Sequence, residues 1–157
     1  MRGRIAVQEA TFDVNAELAA LSATGVGGLA SFIGVVRGGN GLSALRLEHY
    51  PGMTERELAR LADAACARWA LRGCTIIHRV GRLELGAPIV LVATASAHRA
   101  DALAATAFLI DQLKTGAPFW KSEEFADGSH RWVAARDADE AAAAAWRQDL
   151  PPPPEPL

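Results

Sequence analysis

Six basic side chains stand at the ends of the segments that carry them: Arg37, His98, Arg99, Lys114, Lys121 and Arg136. Arg37 follows an apolar run that reads as a buried strand. His98 and Arg99 fall where a strand hands over to a helix, and Lys114 lies in the last turn of that helix. Lys121 comes just after Pro118-Phe119-Trp120, and Arg136 after Trp132-Val133. Ends of elements on a rigid scaffold are where functional groups concentrate. Cations gathered there suit an anionic substrate, through charge-assisted hydrogen bonds. Each also has a plainer reading. Arg37 could be a solvated loop charge and His98 a capping histidine. A lysine at a helix C-terminus is expected from the macrodipole. Lys121 could lie along the Trp120 ring, and Arg136 could pair with Asp137 or Asp139 at the surface.

Spacing adds a constraint. A helix with a histidine–arginine pair at its start and a lysine at its end is about 24 Å long at roughly 1.5 Å per residue. One small substrate cannot touch both ends. Either a second copy supplies one end, or only one end is catalytic, which points to a homodimer with shared sites.

The 157 residues carry a net charge of −2, and half of them are hydrophobic. That suits one domain, which we place at residues 1–146, followed by a proline-rich tail at 147–157 that cannot pack as helix or sheet. The charge balance argues against a polyanion-binding surface. Met1–Asp13 does not read as a signal peptide, and the longest apolar stretch, Ala102–Ile110, is too short to span a bilayer. A cytoplasmic location is expected by elimination. The two cysteines, Cys66 and Cys74, form no CxxC pair, and no histidine stands at ligand spacing. Both read as ordinary buried thiols, and no metal is expected.

The elements that must position the cations follow from periodicity. Strands are expected at Arg4–Gln8, Leu29–Val36, Leu45–Tyr50, Cys74–Val80, Arg82–Leu85, Ile89–Ser96 and Trp132-Val133. Asp13 caps a helix that shows Val14, Leu18 and Leu21 on one face. Thr54 and Glu57 form a capping-box pattern ahead of the stripe Leu58, Leu61, Ala62, Ala65 and Trp69. Arg99–Lys114 is a third helix with Gly116 at its C′ position, and Ala138–Trp146 a possible fourth. Gly38–Gly41 reads as a hairpin tip rather than a phosphate cradle. Runs of strands joined by short turns favour an α+β fold with mainly antiparallel pairing.

Five segments, in order along the chain, carry a resemblance: LEHYPGMTE (Leu47–Glu55), IIHRVGRLELG (Ile76–Gly86), SAHR (Ser96–Arg99), LKTGAPFWK (Leu113–Lys121) and RWVAARD (Arg131–Asp137). Together they resemble the large, catalytic subunit of the molybdopterin synthase family. The resemblance implies an α/β-hammerhead-like domain with an additional antiparallel β subdomain. It implies a sulfurtransferase acting on cyclic pyranopterin monophosphate, with no tightly bound cofactor. Sulfur arrives as a thiocarboxylate on the C-terminal glycine of a small ubiquitin-like subunit. The assembly implied is a heterotetramer built on a central homodimer.

By the same resemblance Lys114 and Lys121 are the catalytic lysines. Lys114 would stabilise developing negative charge at the thiocarboxylate or act as general base, and Lys121 would serve acid–base steps or orient the pterin. Arg37, His98, Arg99 and Arg136 match anion-pocket positions, with His98 and Arg99 reaching across the dimer. Phe119 and Trp120 are expected to line a groove for the partner's tail. Neither cysteine is placed as a sulfur donor, which agrees with an external source. The chain departs from the family in a short Gly38–Ser43 loop and in Gly116, where a larger, often basic residue is common. Two other readings are a docking module that binds the ubiquitin-like protein without turnover, and a nucleotide- or nucleic-acid-binding domain. For the second, the aromatic inventory is thin.

Overall fold

The computed structural model describes residues 3–133 and 137–146. Arg136 and the proline-rich tail lie outside them. The strands β1 (Arg4–Gln8), β4 (Gly73–Arg79), β6 (Pro88–Ser96) and β2 (Gly28–Val35) form one sheet, in the order β1-β4-β6-β2. A second sheet holds β5 (Gly81–Glu84), β3 (Leu42–His49), β7 (Phe119–Phe125) and β8 (His130–Val133), in the order β5-β3-β7-β8. Every pair is antiparallel except β1 with β4. With the helices α1 (Val14–Leu21), α2 (Met53–Arg68), α3 (Arg99–Thr115) and α4 (Asp137–Ala144), this is the expected α+β fold with an added antiparallel subdomain. None of the described helices is long and apolar enough to cross a membrane.

The first sheet is covered on both faces, which explains why β4 and β6 are nearly continuous apolar runs. One face packs Ile76, Val90 and Val92 against Leu58, Leu61 and Ala65 of α2 and Ala105, Phe108 and Leu109 of α3. The other sets Ile77, Leu91 and Ala93 against Val14, Leu18 and Leu21 of α1. Asp13 caps α1, its carboxylate accepting the Ala16 N–H at 3.1 Å. Val36, Leu45, Leu47 and Leu83 make a smaller core that joins the two sheets. Cys66 and Cys74 are buried, free thiols in the main core. The neighbouring Cys66 sulfur, and then burial, hold the Cys74 thiol well above the ordinary thiol range.

Several local expectations are corrected. The strand before Arg37 is not buried: β2 is an edge strand, and Leu29, Phe32, Ile33 and Val35 are 38–53% exposed. An apolar run looks alike at the centre and at the edge of a sheet, and only the pairing order separates the two. Gly38–Gly41 is not a hairpin tip, since β2 pairs with β6 whereas β3 pairs with β5 and β7. It is a sheet-to-sheet crossover, and Gly38, Gly39, Asn40 and Gly41 all have positive φ. Gly116, the C-cap of α3, is right-handed at φ −95. β7 itself was not expected, because FWKSEEF lacks clean apolar alternation.

Thr54 does not cap α2 either. Gly52 does, in a left-handed conformation, with its N–H donating to the Glu55 carboxylate at 2.6 Å. Thr54 lies inside the first turn, fully buried. Its hydroxyl accepts the Tyr50 N–H at 3.0 Å and donates to the Pro118 carbonyl at 3.1 Å. One hydroxyl thus ties the β3–α2 turn to the segment that leads from α3 into β7. Thr54→Val keeps the shape but leaves a donor and an acceptor without partners, at about 1–3 kcal/mol each when buried. Urea denaturation should show a loss of roughly 2 kcal/mol or more, and Thr54→Ser should recover most of it.

Candidate active site around Phe119

β7 begins beside β3 with Phe119 opposite His49, Trp120 opposite Glu48 and Lys121 opposite Leu47. Side chains alternate along a strand, so Phe119 and Lys121 share a face with His49 and Leu47, while Trp120 projects from the other face. There Trp120 meets the Tyr50 ring, centroids 4.7 Å apart, and remains 40% exposed. Phe119 and Trp120 therefore do not line one groove. The adjacent residues are divided by the sheet.

Phe119 stacks on the imidazole of His78 from β4, with centroids 3.8 Å apart and planes 19° from parallel. That contact bridges the two sheets. His78 is 8% exposed, and its Nδ1 lies 2.8 Å from the Arg79 carbonyl oxygen. A carbonyl only accepts, so Nδ1 carries the hydrogen. Burial pushes the His78 pKa down to about 4, helped by the nearby positive charges of Lys114 and His49. Lys114 lies in the last turn of α3, five residues before Phe119. His49 stands 3.6 Å from the Glu55 carboxylate. Phe119 thus stacks on His78, stands opposite His49 on the ladder and shares its face of β7 with Lys121.

Arg37 belongs to this end of the molecule. β2 ends at Val35 opposite Pro88, where β6 begins, and Val36 exchanges backbone hydrogen bonds with Ala87 and Gly86. His78 pairs with Val90 near the same end of β6. His98 and Arg99 lie at the other end. β6 finishes at Ser96 opposite Gly28, and a Cβ on Gly28 would meet the Arg99 backbone. The run from Val90 to Ser96 spans about 20 Å at roughly 3.3 Å per residue. His98 is the N-cap residue of α3 and makes no side-chain capping bond. Within one chain Arg37 follows the end of β2 toward the side of the first sheet where His78 lies, and His98 and Arg99 stand at the opposite end.

His49 and His78 were not among the residues singled out from the sequence. His49 was visible only as one face of an alternating strand, and His78 as a polar interruption of an apolar one. Gly116 borders a cleft of about 650 Å³ between α3 and α4, with Gln112, Thr115 and Glu140 also on its walls.

Burial of neutral His78 carries a pH signature. The native pKa of about 4 lies below the ordinary 6.5, so the unfolded chain takes up this proton first as pH falls. Stability contributed here is present above pH 6.5 and is lost towards pH 4. By pH 5 the loss is about 2 kcal/mol, at 1.36 kcal/mol per unit. Denaturation at pH 7 and pH 5 should show a smaller acid-induced loss for His78→Phe than for the unaltered chain.

The sequence model of the MoaE protein family matches residues 7–116, more than half of the chain. A molybdopterin synthase catalytic subunit of Ralstonia nicotianae is 55% identical over 147 residues, covering 90% of this chain and 83% of that protein. One from Pseudomonas aeruginosa is 50% identical over 149 residues, covering 92% of this chain and 99% of the relative. Among solved structures, the molybdopterin cofactor biosynthesis protein E of Burkholderia multivorans superposes with a TM-score of 0.80 at 48% identity, over 93% of this chain and 97% of that one. A molybdopterin synthase structure from Staphylococcus aureus gives a TM-score of 0.76 at 27% identity, over 84% of this chain and 96% of that one. The chain therefore belongs to the MoaE protein family, that of the molybdopterin synthase catalytic subunits.

Proposed function

We propose that this chain catalyses sulfur transfer from the C-terminal glycine thiocarboxylate of a small ubiquitin-like subunit to cyclic pyranopterin monophosphate, in the cytoplasm. The observation that supports this reading is that Lys121 shares a face of β7 with Phe119, whose ring stacks on His78, while Lys114 lies in the last turn of the helix that leads into β7. The chemistry needs such a set. The thiocarboxylate and the phosphate are both anions, and they repel one another unless cations lie between them. When the thiocarboxylate sulfur bonds to a pterin side-chain carbon, a C–O bond of that carbon breaks, its oxygen leaving protonated or with the phosphate, and an acyl–sulfur linkage to the carrier results. Water must then cleave it, leaving sulfur on the pterin and a carboxylate on the carrier. Lys114 would balance charge on the thiocarboxylate, and Lys121 would serve the acid–base steps or orient the pterin. Arg37 would hold the phosphate. No tightly bound cofactor is required.

The separation of His98 and Arg99 from the lysines supports a site shared between two copies. So does the apolar edge of β2, since an exposed apolar edge strand is a liability unless something covers it. On this reading two copies form the central dimer of a heterotetramer, and each site borrows His98 and Arg99 from the other copy.

Purified chain with thiocarboxylated carrier should convert the cyclic phosphate to molybdopterin. Lys114→Ala should abolish turnover while complex assembly persists, and a fully active variant would remove Lys114 from the mechanism. Arg37→Ala should weaken binding of the cyclic phosphate, measured by calorimetry.

Sharing has its own test. Co-expressed Lys114→Ala and His98→Ala chains form mixed dimers in which one site has both residues intact, if the site is shared. Random pairing then restores roughly a quarter of wild-type activity. Sites contained within single chains would give no recovery.

A further inference from the structure

His49 closes β3 with a carboxylate held against its ring. Gly52 starts α2 at φ 85, and its N–H donates to Oε2 of Glu55 at 2.6 Å. That bond fixes the carboxylate at the helix start, where the dipole favours a negative charge. Oε1 faces His49, 3.6 Å from Nε2. A carboxylate only accepts, so it favours the tautomer with hydrogen on Nε2. The lone pair of the neutral ring then lies on Nδ1. Nδ1 has no hydrogen-bond partner among the described residues, and no fully buried side-chain nitrogen or oxygen there lacks one, so Nδ1 is open to water.

The ring stands on the face of the sheet that carries Phe119 and Lys121. His49 is directly opposite Phe119, which sets their Cβ atoms about 5 Å apart, and Lys121 is one diagonal step away at roughly 7–8 Å. Other acceptors near this face are committed. Glu123 pairs with Arg131 at 2.9 Å. His78 is 8% exposed against the Phe119 ring, and its pKa of about 4 makes it a weak base. A lysine ammonium has no lone pair to offer.

A histidine oriented by a fixed carboxylate suits proton removal from water, because the carboxylate also balances the imidazolium that forms. Sulfur transfer contains one such step, the cleavage of the acyl–sulfur linkage to the carrier. We propose that His49 is the general base for that hydrolysis and Glu55 its positioning residue, roles that rest on the sulfur transfer proposed above. Nδ1 takes a proton from water as the water oxygen bonds to the acyl carbon. The carbon–sulfur bond to the carrier breaks, and its electron pair stays on sulfur as a pterin thiolate, on the face where Lys121 stands. The carrier leaves as a carboxylic acid that loses its remaining proton to solvent, and the imidazolium returns its proton the same way.

In the assembled enzyme His49→Gln should lower kcat roughly 10²-fold, the scale of lost general-base catalysis. Its KM for the cyclic phosphate should stay within about twofold. Only the hydrolytic step is slowed, so carrier joined to pterin should accumulate, seen by mass spectrometry after acid quenching. Added imidazole should restore turnover to His49→Ala and clear the adduct. Glu55→Gln keeps an oxygen for the Gly52 N–H and removes the balancing charge. It should accumulate the same adduct with a smaller fall in kcat.

A wild-type rate in His49→Gln overturns the proposal. So does a slow variant that forms no adduct and gains nothing from imidazole, the result a purely structural role would give. If the unaltered enzyme makes no product, the proposed function fails and this role with it. Product from the unaltered enzyme with no adduct in either variant removes the role of His49 alone. If the His49 variants do not fold, 15N-histidine NMR of the unaltered chain decides. The neutral His49 ring must carry its hydrogen on Nε2, and a ring protonated on Nδ1 overturns the proposal.

Discussion

The face-to-face contact between Phe119 and His78 is where two sheets, one long helix and the candidate chemistry meet. His78 belongs to β4, in the middle of the helix-covered sheet, and Phe119 opens β7 in the other sheet. α3 must deliver the chain from one to the other within a few residues, through Gly116-Ala117-Pro118. Thr54 locks that passage by its bond to the Pro118 carbonyl. A stacked pair buried among apolar neighbours gains from area and from ring geometry together. Lys114 precedes the stack on a helix, and Lys121 follows it on the same face of β7.

The same contact explains a neutral histidine among cations. A protonated ring at this depth would lose its hydration and be repelled by the positive charges of Lys114 and His49. The neutral form avoids both costs and keeps a hydrogen bond to backbone. The site therefore concentrates positive charge on side chains that reach solvent and reserves the interior for a polar group without charge. Such an arrangement attracts an anion without filling the core with unpaired ions.

At the far end of α3 the chain exposes what it does not use internally. His98 and Arg99 lie well away from the lysines, and β2 presents apolar side chains along an edge. Both make sense together if a second copy approaches this side, since covering the edge and contributing the pair are then one event. The helix-length argument reached the same division from spacing alone, because a rigid rod of fixed rise cannot bring its two ends to one small molecule.

Local physics made much of this legible in the sequence. Asp13 as a cap, the α2 stripe, the α3 span and the alternation of Leu45, Leu47 and His49 depend on neighbours a few residues apart, and the structure has them as expected. The motifs carried the family and the two lysines. What depends on distant partners was not legible. β7 is a strand because β3 and β8 flank it, not because FWKSEEF alternates cleanly. β2 is an edge because of the order in which strands pair, and Phe119 and Trp120 part because that strand places them on opposite faces. His78 shows the difference most clearly. In the sequence it interrupts an apolar run, and only the approach of β7 from the other sheet gives it a stacking partner. Residue type and spacing determine which groups are available and which helices and turns form. Long-range pairing decides which of those groups share a site, because that choice is made by contacts between segments far apart in the chain.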